Sequence, residues 1–81
     1  MKNVSIYTTP TCMYCKMAKD FFQKNNIQFS EHNVATDLDK RKEMIDLSGQ
    51  MGVPVIKVDD EYIVGFDKKR LEALLLEPAA T

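Results

Sequence analysis

Tryptophan is absent from this 81-residue chain, histidine occurs once, and there are only two cysteines, three glycines and three prolines. Two cysteines cannot build the disulfide framework that holds small secreted domains together. One histidine and two cysteines also fall short of the four ligands of a closed zinc site. No apolar run approaches the roughly 20 residues that span a bilayer. The start, "MKNVSIYTTP", has no apolar stretch of the length a secretory signal needs. No basic run exists and the formal net charge is −1, so there is no electrostatic footprint for nucleic acid. These absences point to the cytoplasm, with no membrane and no nucleic-acid partner. Disulfides there are usually transient and catalytic.

What is present is an ordinary globular mix, 44% hydrophobic and 28% charged. The length allows one core, so residues 1–81 read as a single domain with a short tail at 78–81. "NVSIYT" (3–8) alternates and reads as a buried strand. From Met13 to about Asn25 the period becomes helical, with Met17, Ala18, Phe21 and Phe22 on one face and Lys16, Lys19 and Asp20 on the other. "IQFSEHNV" (27–34) alternates again and predicts a second strand. Thr36 and Asp37 open a second helix, with Asp39 placed as the partner in a Thr36 capping box and Gly49 as the stop. "VPVIKV" (53–58) and "EYIVGF" (61–66) form a hairpin about Asp59-Asp60. Asp67 caps a last helix, "KKRLEALLLE", that Pro78 ends. The order is β-α-β-α-β-β-α. The first two strands should be parallel and the last two antiparallel, giving a four-stranded mixed sheet with helices on both faces.

Both cysteines lie in "TTPTCMYCK" (8–16), at the junction of the first strand and first helix. Three readings meet there: two inert thiols, half of a metal site, or a redox dithiol. A structural staple is poorly served, because a bridge from Cys12 to Cys15 closes almost no loop. A metal would need a second donor set, supplied for instance by another chain sharing an ion or an iron–sulfur cluster. A helix N-terminus and a Cys-x-x-Cys spacing both favour a thiolate. Cys12 precedes the first turn, and Lys16 adds a positive charge beside it. Cys15 lies one turn further in and more shielded. The spacing thus separates an attacking sulfur, Cys12, from a resolving one, Cys15. A second motif, "GQMGVPV" (49–55), sets Pro54 at a strand start, where its missing N–H is tolerated. A Val-Pro bond adopts the cis form at a cost of only about 0.5–1 kcal/mol. A cis Pro54 would turn the Val53 backbone toward the neighbouring loop, whereas a trans Pro54 would be a plain turn residue.

"YTTPTCMYC", "GVPV" and "VGFD", in that order and over about Val4 to Leu76, resemble the glutaredoxins. The likeness is strongest to short glutaredoxin-like redoxins, including the ribonucleotide-reductase-associated type. The resemblance implies a thioredoxin-like fold, with Cys12 as nucleophile and Cys15 as resolving thiol. It implies a cis-proline platform at Val53–Pro54 and further substrate contacts at Gly65, Phe66 and Asp67. It implies no bound cofactor beyond the redox-active Cys12–Cys15 pair, and a monomer acting on disulfide-bearing proteins. Two features depart from the glutathione-binding pattern. The residues before Cys12 are Thr8, Thr9, Pro10 and Thr11, with no lysine, and a large Phe66 stands in the Gly65–Asp67 turn. They favour a thioredoxin-reductase-like flavoprotein as electron source, with glutathione as the alternative.

Overall fold

The computed structural model describes residues 3–76; the predicted tail and the last residue of the final predicted helix lie outside the described residues. Within them run β1 (Val4–Thr8), α1 (Met13–Lys24), β2 (Ser30–Asn33), α2 (Leu38–Ser48), β3 (Val55–Val58), β4 (Glu61–Val64) and α3 (Lys68–Leu75). The sheet order is β2-β1-β3-β4. β1 pairs parallel with β2, and the other two ladders are antiparallel. The expected order and pairing both hold.

Alternation along the strands splits the interior into two apolar layers. Val4 and Ile6 of β1 join Ile56, Val58 and Ile63 on one face, under Ala18, Phe21 and Phe22 of α1 and Leu71 of α3. Tyr7 and Val55 point the other way and meet Met44 of α2, with Val34 beside them. α1 and α3 therefore cover one face and α2 the other. Aromatic rings bind the larger layer together: Phe22 lies 5.1 Å from Phe29 and 5.9 Å from Phe21 between centroids.

Three local expectations change. β2 begins at Ser30, not Ile27. Asn26 takes a left-handed φ of 56°, and the Ile27 N–H is spent on the Phe22 carbonyl at 2.8 Å, closing the end of α1. Ile27 and Phe29 alternate because they pack on the core before the ladder starts. The cap of α2 is Asp37, whose carboxylate accepts the Lys40 N–H at 3.1 Å. Thr36 instead donates to the Asn33 carbonyl, so the Thr36–Asp39 capping box does not form. Met17, expected on the inner face of α1, is 46% exposed. Cys15, Ala18, Phe21 and Phe22 fill that face, which leaves Met17 over Met13 on the outside. Met51 is exposed too, while Met44 is fully buried.

The ends of the elements place the site. β1 finishes at Thr8, and Thr9–Thr11 lead into α1. Continuing the β1–β3 register past Tyr7↔Val55 sets Pro54 across from Thr8. The Gly65 N–H donates to the Pro54 carbonyl at 2.8 Å, extending the β3–β4 ladder by one step. The start of α1, the start of β3, and the turn into α3 thus share one end of the sheet.

Candidate active site

Cys12 is the N-cap of α1. Its backbone is extended (φ −86°, ψ 115°), as a cap requires. Its Sγ accepts the Cys15 N–H at 3.1 Å, taking the place that a serine or aspartate oxygen usually holds. The first-turn N–H groups have no partner inside the helix, and this sulfur satisfies that of Cys15. Cys12 is half-exposed, Cys15 is 1% exposed, and both are free thiols. Burial pushes the Cys15 thiol up to about 12, and its hydrogen bond with Cys12 pushes the same way. The Thr9 backbone and the charge of Lys19 pull it back. One sulfur is reachable and caps the helix, and the other is shielded one turn away. A two-step thiol exchange needs that asymmetry.

The other predicted site residues divide into two groups. Val53–Pro54 is a cis peptide bond, and Pro54 is buried at the same sheet end. Gly65, with φ of 83°, sits beside it through the Pro54 hydrogen bond. Asp67 caps α3, with its Oδ1 accepting the Arg70 N–H at 3.2 Å. Phe66 is half-buried, with its ring edge-on to Phe21 at 6.1 Å, so much of it serves the core. Lys16 is exposed and lines a groove of about 690 Å³ beside Cys12. Thr8 to Thr11, Lys19, Asp20 and Glu31 line the same groove, whereas Val53, Pro54 and Gly65 to Asp67 do not.

Reasoning from sequence missed a cluster in that groove. Glu31 of β2 accepts from the Thr8 hydroxyl and from the Lys19 ammonium, each at 2.9 Å. The Lys19 hydrogen bond, with help from Thr8, holds the Glu31 carboxyl below its ordinary range. Lys19 was readable as the residue one turn after Cys15. Nothing in the periodicity brings Glu31 to it. On the far face of the sheet, Tyr7 donates its hydroxyl to Glu43 of α2. Burial first and then this bond drive the tyrosine well above its ordinary range. The lone histidine, His32, stacks obliquely on Tyr7 at 5.4 Å. Among the described residues no group of three or more His, Cys, Asp or Glu gathers to hold a metal, and no helix is long and apolar enough to cross a membrane.

A sequence profile of the glutaredoxin family matches residues 4–63. The chain belongs to the glutaredoxin family. Among its glutaredoxin relatives is the glutaredoxin-like 8.6 kDa protein of the rubredoxin operon of Clostridium pasteurianum, 47% identical over 72 residues, which cover 89% of this chain and 96% of that one. Glutaredoxin 3 of Escherichia coli is 42% identical over 67 residues, covering 83% and 81% of the two chains. Among solved structures, the glutaredoxin-like NrdH-redoxin of Escherichia coli superposes with a TM-score of 0.79 at 25% identity, over 95% of this chain and 97% of that one. The E. coli protein has a thioredoxin-like activity profile. The fold is the thioredoxin-like glutaredoxin fold, and Cys12 and Cys15 occupy its Cys-x-x-Cys position.

Proposed function

We propose that this glutaredoxin-family protein is a cytoplasmic, monomeric thiol–disulfide oxidoreductase that reduces protein disulfides. The observation that carries the reading is Cys12 Sγ at the mouth of α1, half-exposed and 3.1 Å from the Cys15 N–H, with Cys15 buried behind it. Cys12 thiolate attacks one sulfur of a substrate disulfide and expels the other as a thiolate, which takes up a proton. The resulting mixed disulfide is then attacked by Cys15. That step releases the second substrate thiol and leaves a Cys12–Cys15 disulfide, so two electrons have moved from the dithiol to the substrate. Val53, Pro54 and Gly65 border the dithiol end of the sheet and serve as the platform for the substrate backbone. Lys16 contributes positive charge beside Cys12.

The electron source we favour is a thioredoxin-reductase-like flavoprotein. Met13, Tyr14 and Met17 are 77%, 62% and 46% exposed around Cys12, an apolar rim suited to a protein surface. Glutathione is the second reading, favoured by the relatives named glutaredoxin and by Asp67, exposed at a helix start as an acceptor for its amine. The test has two arms. Treated with a disulfide, Cys15→Ser should accumulate a covalent adduct on Cys12, and Cys12→Ser should form none. A Cys12→Ser variant that still forms the adduct sinks the mechanism. Turnover with NADPH and a thioredoxin reductase is then compared with turnover on glutathione and glutathione reductase. Faster reduction by glutathione reverses the choice of electron source.

A further inference from the structure

Lys19 lies four residues after Cys15 on α1, and residues at that spacing are neighbours on one helix face. A surface lysine ordinarily samples many rotamers. This one is tied: its Nζ lies 2.9 Å from Glu31 Oε2, and the same oxygen accepts from Thr8, a residue only 2% exposed at the end of β1. A buried strand residue thus anchors the carboxylate, and the carboxylate anchors the ammonium. We infer that Lys19, held by Glu31 and Thr8, is a positioning residue for the second thiol exchange, its charge favouring the Cys15 thiolate that attacks the mixed disulfide. This rests on the dithiol exchange proposed above.

Burial disfavours the Cys15 thiolate, so the second exchange is the step with the greatest need of a nearby cation. The charged and titratable groups acting on Cys15 are Cys12 on the preceding turn and Lys19 on the next. β1 faces this region with Thr8, whose hydroxyl is spent on Glu31, and β2 acts through Lys19 by way of Glu31. In the step itself, Cys15 loses its proton and its sulfur bonds to Cys12 Sγ. The substrate sulfur leaves with the electron pair and takes up a proton. Lys19 neither gives nor receives a proton. Raising the pKa of an attacking thiol by one unit lowers the thiolate population about tenfold and raises its nucleophilicity about threefold, for a net slowing of about threefold.

The experiment uses a neutral dipyridyl disulfide, so that charge on the probe plays no part. In stopped flow, attack by Cys12 releases a first equivalent of thiopyridone and attack by Cys15 releases a second. In Lys19→Met, the ratio of second-phase to first-phase rate should fall, by about threefold for each unit by which the Cys15 pKa rises, and the pH midpoint of the second phase should move up. Lys19→Arg, which keeps the charge, should retain the wild-type ratio. An unchanged ratio in Lys19→Met overturns the inference, as does an equal fall in the Met and Arg variants. Release of only one equivalent by the wild-type protein refutes the dithiol reading itself and is distinct from either result.

Discussion

Cys15 should be nearly inert to alkylation in the folded protein and ordinary once the chain is unfolded. Its thiol is pushed up to about 12, chiefly by burial. At about pH 7 such a group carries roughly one thiolate in 10⁵, against about three in a hundred for a thiol at its usual ~8.5. The thiolate population is thus about 3,000-fold smaller. A more basic thiolate is also a better nucleophile, and a Brønsted slope of about 0.45 returns a factor of roughly 40. The net protection is about eightyfold. At 1% exposure the reagent also has almost no path to the sulfur, so that figure is a floor. The assay is a timed pulse of iodoacetamide on the reduced protein, with and without urea, followed by mass mapping of the two cysteines. Urea supplies the reference, since it exposes the same sulfur without changing its sequence neighbours. Labelling of folded Cys15 within about tenfold of its rate in urea would refute the reasoning. Cys12, half-exposed in the same molecule, should be modified first throughout.

Two further outcomes test the layers that hold the site. Phe22→Ala empties a fully buried position between Phe21 and Phe29 and should cost about 3–5 kcal/mol in a urea titration, a loss that a surface role for Phe22 would not produce. Tyr7→Phe removes the hydroxyl that Glu43 accepts and should cost about 1 kcal/mol near neutral pH, because Glu43 is itself half in water. Because the folded-state pKa of Tyr7 is raised, the native state keeps that proton after the unfolded chain has lost it. The stability that Tyr7 contributes is therefore complete below about pH 10 and declines above it. Thermal melts of the wild type and Tyr7→Phe should converge as pH rises through that point, and a gap that widens there would contradict the assignment.

The strand-to-helix junction was legible because two local signals agree at Cys12. The alternation of "NVSIYT" ends at Thr8, and the helical period of Ala18, Phe21 and Phe22 begins within one turn of Cys15. Gly49 and Asp67 were legible for the same local reason, one adopting φ of 75° at a helix end and the other capping α3. β2 was less so, because hydrophobic alternation reports burial and not hydrogen bonding. Ile27 and Phe29 are packed without being in the ladder, while "SEHN" is in the ladder with little packed. Met17 shows the converse error: a hydrophobic residue at helical spacing still faces water when Cys15, Ala18, Phe21 and Phe22 already fill the inner face. The Thr8–Glu31–Lys19 cluster joins three elements, and its existence depends on the β1–β2 register, in which Thr8 lies across from Asn33 and Ile6 from Glu31. A one-residue slip would turn Glu31 to the other face. Composition and period carry no information on that choice.

In the exchange proposed above, the sulfur that attacks is also the cap of the helix that presents it. Bond-making at Cys12 and order in the first turn of α1 are thereby two readings of one equilibrium. A thiolate cap would hold its N–H best, and a sulfur bound in a disulfide is a weaker acceptor than a thiolate. Whatever tightens the first turn therefore favours the reduced pair and weakens the protein as a donor of electrons. Whatever loosens it does the reverse. A ligand or neighbouring chain that never touches either cysteine can in this way shift the direction of electron flow, provided it binds the first turn of α1 more tightly in one redox state than in the other.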